Sequence, residues 1–415
     1  MAAWTAGAAM QPALAQQAFT WDQIRDKFVA TNPTLQAARI GIDESRAQEI
    51  TAFLRPNPDI SLTTDGFQVT PNNGIWRPLS GVLETPGVSY LHERRHKREL
   101  RLESAQKGTT VAESQLADQQ RTLLFNLRNA FVQVLQQKAV LALARENLAY
   151  YDQVLRVGRD RKQAGDIAQV DLDRLELQRV QYETDLETAT VNLRTAKIQL
   201  LTLLNDRTPV QQFDVTGAYD FADQVAPLEE YRNMALEARP DLKAAMQAVE
   251  KAKTDHLLAI ANGSADPTFS GWYSHNPSFA NPFANNTIGG TVSIPLRIFD
   301  RNQGEKARTQ LDIGRNERLQ AATEAQVFSD VDSAYATVNS NLVLLRRYKE
   351  TYLNQAVRVR EVVSFSYQHG GASLLDFLQA QQDYRSVQLN YLNLIGAYLT
   401  AASQLNLAVG REVIR

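Results

Sequence analysis

The chain has 415 residues, with 44 Lys and Arg against 46 Asp and Glu, for a formal net charge of −2. That balance argues against a nucleic-acid surface, which normally carries a basic excess. There is no cysteine, which excludes disulfides, thiolate metal sites, a cysteine nucleophile and a lipoprotein anchor, and the low share of Gly and Pro suits long helices.

Residues 1–15 are small and apolar and end in Ala13-Leu14-Ala15, the pattern of an export signal cleaved before Gln16. No stretch reaches the ~18 apolar residues of a spanning helix, so any membrane crossing falls to strands. A helix is expected over 21–54, then a Pro/Gly/Asn-rich β segment over 57–90. In "DISLTTDGF" (59–67) Ile60 and Leu62 share a face, while 76–90 carries two prolines and is a weaker strand. A very long helix follows over 92–163, Gly165 breaks it, and a returning helix covers 168–204. Residues 207–227 read as a linker.

The order then repeats. A helix is expected over 228–262 and strands within 266–299. Phe269, Gly271 and Tyr273 share one face there, and Ile288, Gly290, Val292 and Ile294 another. A long helix spans 302–368, Gly370 breaks it, and a last helix covers 373–409. The chain is therefore two copies of one unit, 16–206 and 228–415. Leu127, Val134, Leu141, Leu148 and Leu155 form a seven-residue stripe, and adding 204 gives Val331, Val338, Leu345, Tyr352 and Val359. Such a sustained stripe means helices packed side by side as coiled coils. Gly165 and Gly370, Asp171 and Asp376, and Pro86 and Pro295 recur at nearly the same offset. At 1.5 Å per residue a helix of ~65 residues is about 100 Å long, so it must pack lengthwise against others.

Aromatic residues gather near the strand ends, at Phe67, Trp76, Tyr90, Trp272, Tyr273 and Phe299, as at a membrane interface. The loops 69–74 and 276–286 would face outside. Four strands cannot close a barrel, and open edges cannot exist in lipid, so a membrane reading needs several chains sharing one barrel. The bland alternative is two soluble hairpins capping a helical bundle.

"HERRH" (92–96) fits the zinc-protease pattern of two His at i and i+4 beside a Glu. Its flanks, Arg94, Arg95, Lys97 and Arg98, would repel a dication, and "RNQGE" (301–305) in the second half has no His. A polar strand–helix junction is the better reading. His256, His275 and His369 form no cluster. Carboxylate pairs such as Asp171/Asp173 and Glu183/Asp185 read as solvated faces and ion-pair partners. No catalytic, cofactor or metal site is expected.

The duplicated helix–hairpin–helix order, "IPLRIFDRNQGEKA" (294–307), "AGDIAQVDL" (164–172) and "GGASLLDFL" (370–378) together resemble the TolC-like outer membrane factors of tripartite efflux systems. The resemblance covers roughly residues 20–410, and "PLRIFDRNQGE" looks most like the metal-cation, Czc-type branch. It implies a mainly α fold and a homotrimer, with four strands per chain closing a twelve-stranded barrel in the outer membrane and a long periplasmic α-barrel. It implies a passive channel with no cofactor, working with a periplasmic adaptor and an inner membrane pump to expel metal cations or small toxic compounds. A soluble periplasmic coiled-coil scaffold or adaptor-like protein is the alternative.

The resemblance also implies roles for particular residues. Ser293–Phe299 would be the last strand descending from the membrane. Pro295, Asp300, Arg301, Asn302 and Gly304 would make the swivel from strand to helix. Gly165, Asp171, Gly370, Gly371 and Ser373 would lie at the periplasmic tip that meets the adaptor. Asp376 would give an acidic ring at the pore constriction, with Gln379 where the family often carries a second acid. Helix C-caps and a favourable helix dipole are the plain readings of the same glycines and aspartates.

Overall fold

A computed structural model describes residues 17–79, 81–275 and 285–414. The expected export signal at 1–15 and most of the 276–286 loop lie outside these residues. The chain forms two compact units. One is built from 17–38, 116–240 and 324–414, the other from 39–115 and 241–323. Each takes segments from both sequence repeats.

The second unit holds a four-stranded antiparallel sheet in the order β2 (Asp59–Asp65), β3 (Leu83–Leu91), β5 (Thr268–His275), β6 (Asn286–Ser293). Its register sorts the side chains by face. Ile60 pairs with Val88, Phe269 with Val292 and Tyr273 with Ile288, so one face is apolar and exposed. The opposite face carries Ser61, Thr63, Thr85, Ser89, Ser270, Thr287 and Thr291, with a hydroxyl contact of 3.1 Å between Thr85 and Ser274. An apolar face backed by a hydroxyl-lined face is what a strand needs between lipid and water. β2 and β6 are the open edges. No helix among the described residues is long and apolar enough to cross a membrane.

Two sequence expectations shift here. The last strand ends at Ser293 rather than Phe299. Thr268 is the final residue opposite it, and Pro267 and Pro295, just beyond the ends of the two strands, cannot donate to a further rung. Residues 76–79 form a turn region, and β3 begins only at Leu83.

The helices follow the sequence with one repeated difference. The expected 21–54 helix is split into α1 (Trp21–Thr31) and α2 (Pro33–Phe53), and 228–262 into α5 (Leu228–Ala238) and α6 (Pro240–Asn262). Asn32 and Arg239, each before a proline, are extended at ψ 119° and 120°. The proline ring disfavours helical ψ in the residue before it. Two strands not foreseen, β1 (Gln17–Phe19) and β4 (Phe213–Val215), pair in parallel within the first unit, so the linker is partly structured.

In the first unit the part of α3 (Lys97–Ala164) from residue 116 onward and α4 (Gln169–Leu203) pack against α9 (Leu374–Val409). The stripe Leu127, Val134, Leu141, Leu155 is buried, as expected. So are Val331, Val338 and Leu345, but Tyr352 and Val359 are exposed. Between α7 (Gln303–Arg347) and α8 (Leu353–Gln368) the chain makes one π-helical turn, Tyr348–Tyr352. A π-turn takes in one extra residue. The inner stripe therefore steps from Leu345 to Leu353, Arg360 and Tyr367, all half-buried. The repeat offset changes with it. It is 204 at Val134 and Val338, but 205 at Gly165 and Gly370 and at the left-handed helix ends Asn205 and Gly410.

Asp206 links α1 to the end of α4. It is hydrogen-bonded by Lys27, by the Thr208 hydroxyl at 2.7 Å and by the Thr208 amide at 2.9 Å. The Lys27 bond contributes most to lowering its pKa from 3.8 to about 2. A depressed folded-state pKa stabilises fully above 3.8 and is lost as pH falls through about 2. Asp206→Asn is expected to cost about 1 kcal/mol at neutral pH, after solvent screening of the half-exposed lysine. The melting difference from wild type should close on acidification to that value; a gap unchanged with pH would refute the linkage.

Candidate functional site at the two helical turns

The first turn closes α3 onto α4. Gly165 is left-handed at φ 86°, its N–H donates to the Lys162 carbonyl at 3.1 Å, and the Asp166 N–H donates to the Arg161 carbonyl at 2.9 Å. These bonds satisfy the last free carbonyls of α3. Ala168 caps α4 with no side-chain bond, and Asp171 sits in its first turn, 3.7 Å from Arg174.

The second turn is built alike but capped better. Gly370 is left-handed at φ 77°, and the Gly371 N–H donates to the Ser366 carbonyl at 2.7 Å. Ser373 and Asp376 form a capping box: the Asp376 N–H donates to Ser373 Oγ at 3.2 Å, and the Ser373 N–H to Asp376 Oδ2 at 3.2 Å. The Ser373 hydroxyl also donates to that carboxylate at 2.7 Å. The hydroxyl bond, then the amide bond, hold the Asp376 carboxyl below its ordinary range. Asp376 is exposed and ionised.

The turns lie side by side. Arg161 donates to the Tyr367 carbonyl at 3.1 Å and lies over the Tyr367 ring. Beneath them Tyr151, Leu155, Leu175, Tyr182, Leu374 and Phe377 form one buried cluster, with Tyr151 stacked on Tyr182 at 4.6 Å. Rigid packing thus continues to the last turn of each helix. Gln379 is exposed and donates to Asp383 at 2.8 Å. Asp376, Gln379 and Asp383 follow one another at i, i+3 and i+7, so the acidic row extends a step further than the sequence reading gave. The seven-residue interval from Asp376 was the available signal.

The strand–helix junctions belong to the other unit. At the second, Asn302 is left-handed at φ 61°, its amide donates to Asp300 at 2.8 Å, and its side chain donates to the Ala259 carbonyl at 2.8 Å. Arg301 donates through its backbone to Gln303 at 2.8 Å and through its side chain to the Arg297 carbonyl at 3.1 Å. Gly304 has open space around it and no left-handed backbone, so Asn302 rather than Gly304 makes the bend. Gly263 is needed instead: a Cβ there would lie 2.7 Å from the Arg301 carbonyl oxygen.

At the first junction "HERRH" is not helical. Arg95 and His96 are left-handed at φ 59° and 56°, and α3 starts at Lys97, so the two His do not share a helix face. Glu93 binds the Arg101 guanidinium instead. Among the described residues no group of His, Asp and Glu is arranged to hold a metal ion.

The sequence matches the outer membrane efflux protein family over residues 24–206 and 231–411, once per repeat. It is 24% identical over 421 residues to the cobalt-zinc-cadmium resistance protein CzcC of Cupriavidus metallidurans, covering 98% of this chain and 94% of that one. It is 24% identical over 416 residues to the pyoverdine export outer membrane protein OpmQ of Pseudomonas aeruginosa, covering 98% and 86%. The fold matches the crystal structure of CusC with a TM-score of 0.79 at 17% identity, covering 99% of both chains.

Proposed function

The chain belongs to the outer membrane efflux protein family, and from that premise we propose that its cargo is divalent transition-metal cations and that Asp376 lines the narrowest part of its duct. The protein is an outer membrane channel, not an enzyme. It is a homotrimer that docks with a periplasmic adaptor and an inner membrane pump, and the sheet and helices continue into a β-barrel and a helical barrel. The pump supplies the energy and the channel conducts passively.

The match to CzcC along nearly the whole chain is the observation that carries the metal reading. The ionised Asp376 and the following Asp383 fit it, since three copies around an axis attract cations and repel anions. The turns at 164–172 and 370–378 are the parts that would splay when the adaptor docks, with Gly165, Asp171, Gly370, Gly371 and Ser373 at the contact. Gln379 would soften the ring relative to a two-acid constriction.

The test is complementation. A host lacking its own metal-efflux channel, but keeping its adaptor and pump, should regain growth in zinc, cobalt or cadmium when it makes this protein. The similarity to a pyoverdine exporter makes a small organic chelator the competing cargo. Restored chelator export with no gain in metal tolerance would overturn the metal reading.

A further inference from the structure

All four strands meet their helices at one end of the sheet, through residues 52–58, 91–101, 262–267 and 294–308. These segments hold ten Lys and Arg against five Asp and Glu, in a chain whose net charge is −2. The turn region beyond the other end, 66–79, holds one Arg and no acid. Positive charge is therefore gathered at one level of the second unit.

Hydrogen bonds tie the segments into one collar. Arg101 donates to the Ala52 carbonyl at 3.3 Å and pairs with Glu93. Arg94 donates to the Ala265 carbonyl at 2.9 Å, and the His92 N–H to the Pro267 carbonyl at 2.9 Å. Asn302 joins the fourth segment to α6 through Ala259. Lys97 and Arg101 are used inside the collar, on Asp266 and Glu93. Arg55, Arg95 and Arg301 are exposed and make no ion pair among the described residues.

The collar continues the apolar face of the sheet. His92 stands edge-on to Phe269 at 6.5 Å, where that face ends. Just beyond, the Arg98 guanidinium lies over the Phe53 ring at 4.4 Å, and Leu296 and Phe299 are 81% and 90% exposed. Arginines interleaved with exposed apolar side chains suit the boundary between acyl chains and headgroups, where the stem stays apolar and the charge reaches phosphate. The backbone adds an independent sign. Arg95 and His96 are both left-handed, a conformation that glycine would take without strain. The turn leaves the His96 side chain 87% exposed. A long cation kept at a strained, outward position points to a use for the side chain itself.

We infer that this collar binds the headgroups of anionic phospholipids in the periplasmic leaflet, with Arg55, Arg95 and Arg301 donating to lipid phosphate. A guanidinium offers two parallel N–H groups to phosphate oxygens. The occupant is a lipid because the collar adjoins the apolar sheet face, and Leu296 and Phe299 need acyl chains beside the charged groups. "HERRH" thereby has a role as part of a headgroup seat. The collar fixes the depth at which the channel sits, whatever its cargo.

The test uses the full-length trimer in a non-ionic detergent, given equal amounts of dioleoylphosphatidylglycerol and dioleoylphosphatidylcholine. Retained lipid is counted by native mass spectrometry. The wild type should retain the anionic lipid on the order of tenfold over the zwitterionic one. Arg95→Gln should lower that preference severalfold, and Arg55→Gln, Arg95→Gln, Arg301→Gln together should bring it near unity with the trimer intact. Lysine at the same three positions should keep most of it. Arg156→Gln, Arg194→Gln, Arg347→Gln, which removes as much charge from the first unit, should leave it unchanged. Equal retention of the two lipids by the wild type overturns the inference. So does a preference that survives the glutamine variants, is lost with lysine, or falls as far in the first-unit variant.

Discussion

Replacing Asp266 by alanine is expected to cost the protein about 3 kcal/mol, because it strands a buried lysine. Lys97 starts α3 and is only 4% exposed. Its ammonium donates to Asp266 at 2.5 Å and to the Ser264 carbonyl at 2.9 Å, and the Arg94 backbone N–H donates to the other Asp266 oxygen at 2.9 Å. Burial alone would raise the Asp266 pKa, but the Lys97 and Arg94 bonds outweigh it and the net shift is downward. The carboxylate therefore stabilises the junction above its ordinary pKa and stops doing so as pH falls below it. Without the carboxylate, Lys97 keeps one carbonyl and loses its counter-charge. At the usual entropy of unfolding per residue, about 3 kcal/mol is a fall of about 3 °C in melting temperature for a chain of this length. The double variant Lys97→Met, Asp266→Asn should recover most of it, since removing both charges removes the stranded one. A single variant that melts with the wild type would show the pair to be idle.

Replacing Asp376 by asparagine is expected to change what the channel passes rather than how well it folds. Asparagine keeps an oxygen for the Ser373 cap, so α9 should start where it does now. The trimer loses three charges at one level. The preference for cations over anions, read from the reversal potential across a salt gradient, should fall on the order of threefold or more. Acid offers a second reading on the wild type. Ser373 holds the Asp376 carboxyl below its ordinary value of 3.8, so the preference should survive to pH values below that and then fade. An unchanged reversal potential in Asp376→Asn would remove the residue from the pore wall.

Much of this was legible in the sequence because the fold is repetitive. The seven-residue stripe through Leu127 and Val331 and the glycine breaks at 165 and 370 are local signals that directly reflect local geometry. The alternation of Ile60 with Leu62 and of Phe269 with Tyr273 marked strands with one apolar face, and the register bears it out. The misses have physical reasons. Pro33 and Pro240 split helices whose apolar pattern runs through the break. Ile294–Phe299 alternates like a strand, yet no partner strand extends beyond Thr268 to pair with it. "HERRH" has the spacing of a metal helix but a left-handed backbone at Arg95 and His96. Gly263 matters through a carbonyl 38 positions away in sequence, Arg301, and no local pattern announces that.

The π-turn at Tyr348–Tyr352 also makes the two halves of the chain distinguishable. The halves agree at an offset of 204 from Leu127 and Val331 to Leu141 and Leu345, and of 205 from Gly165 and Gly370 onward, so the second half carries one residue more than the first between these points. The helix takes the extra residue as a bulge rather than turning everything downstream by about 100°. The bulge marks the second copy of the repeat apart from the first, whose matching helix α3 runs unbroken from Lys97 to Ala164.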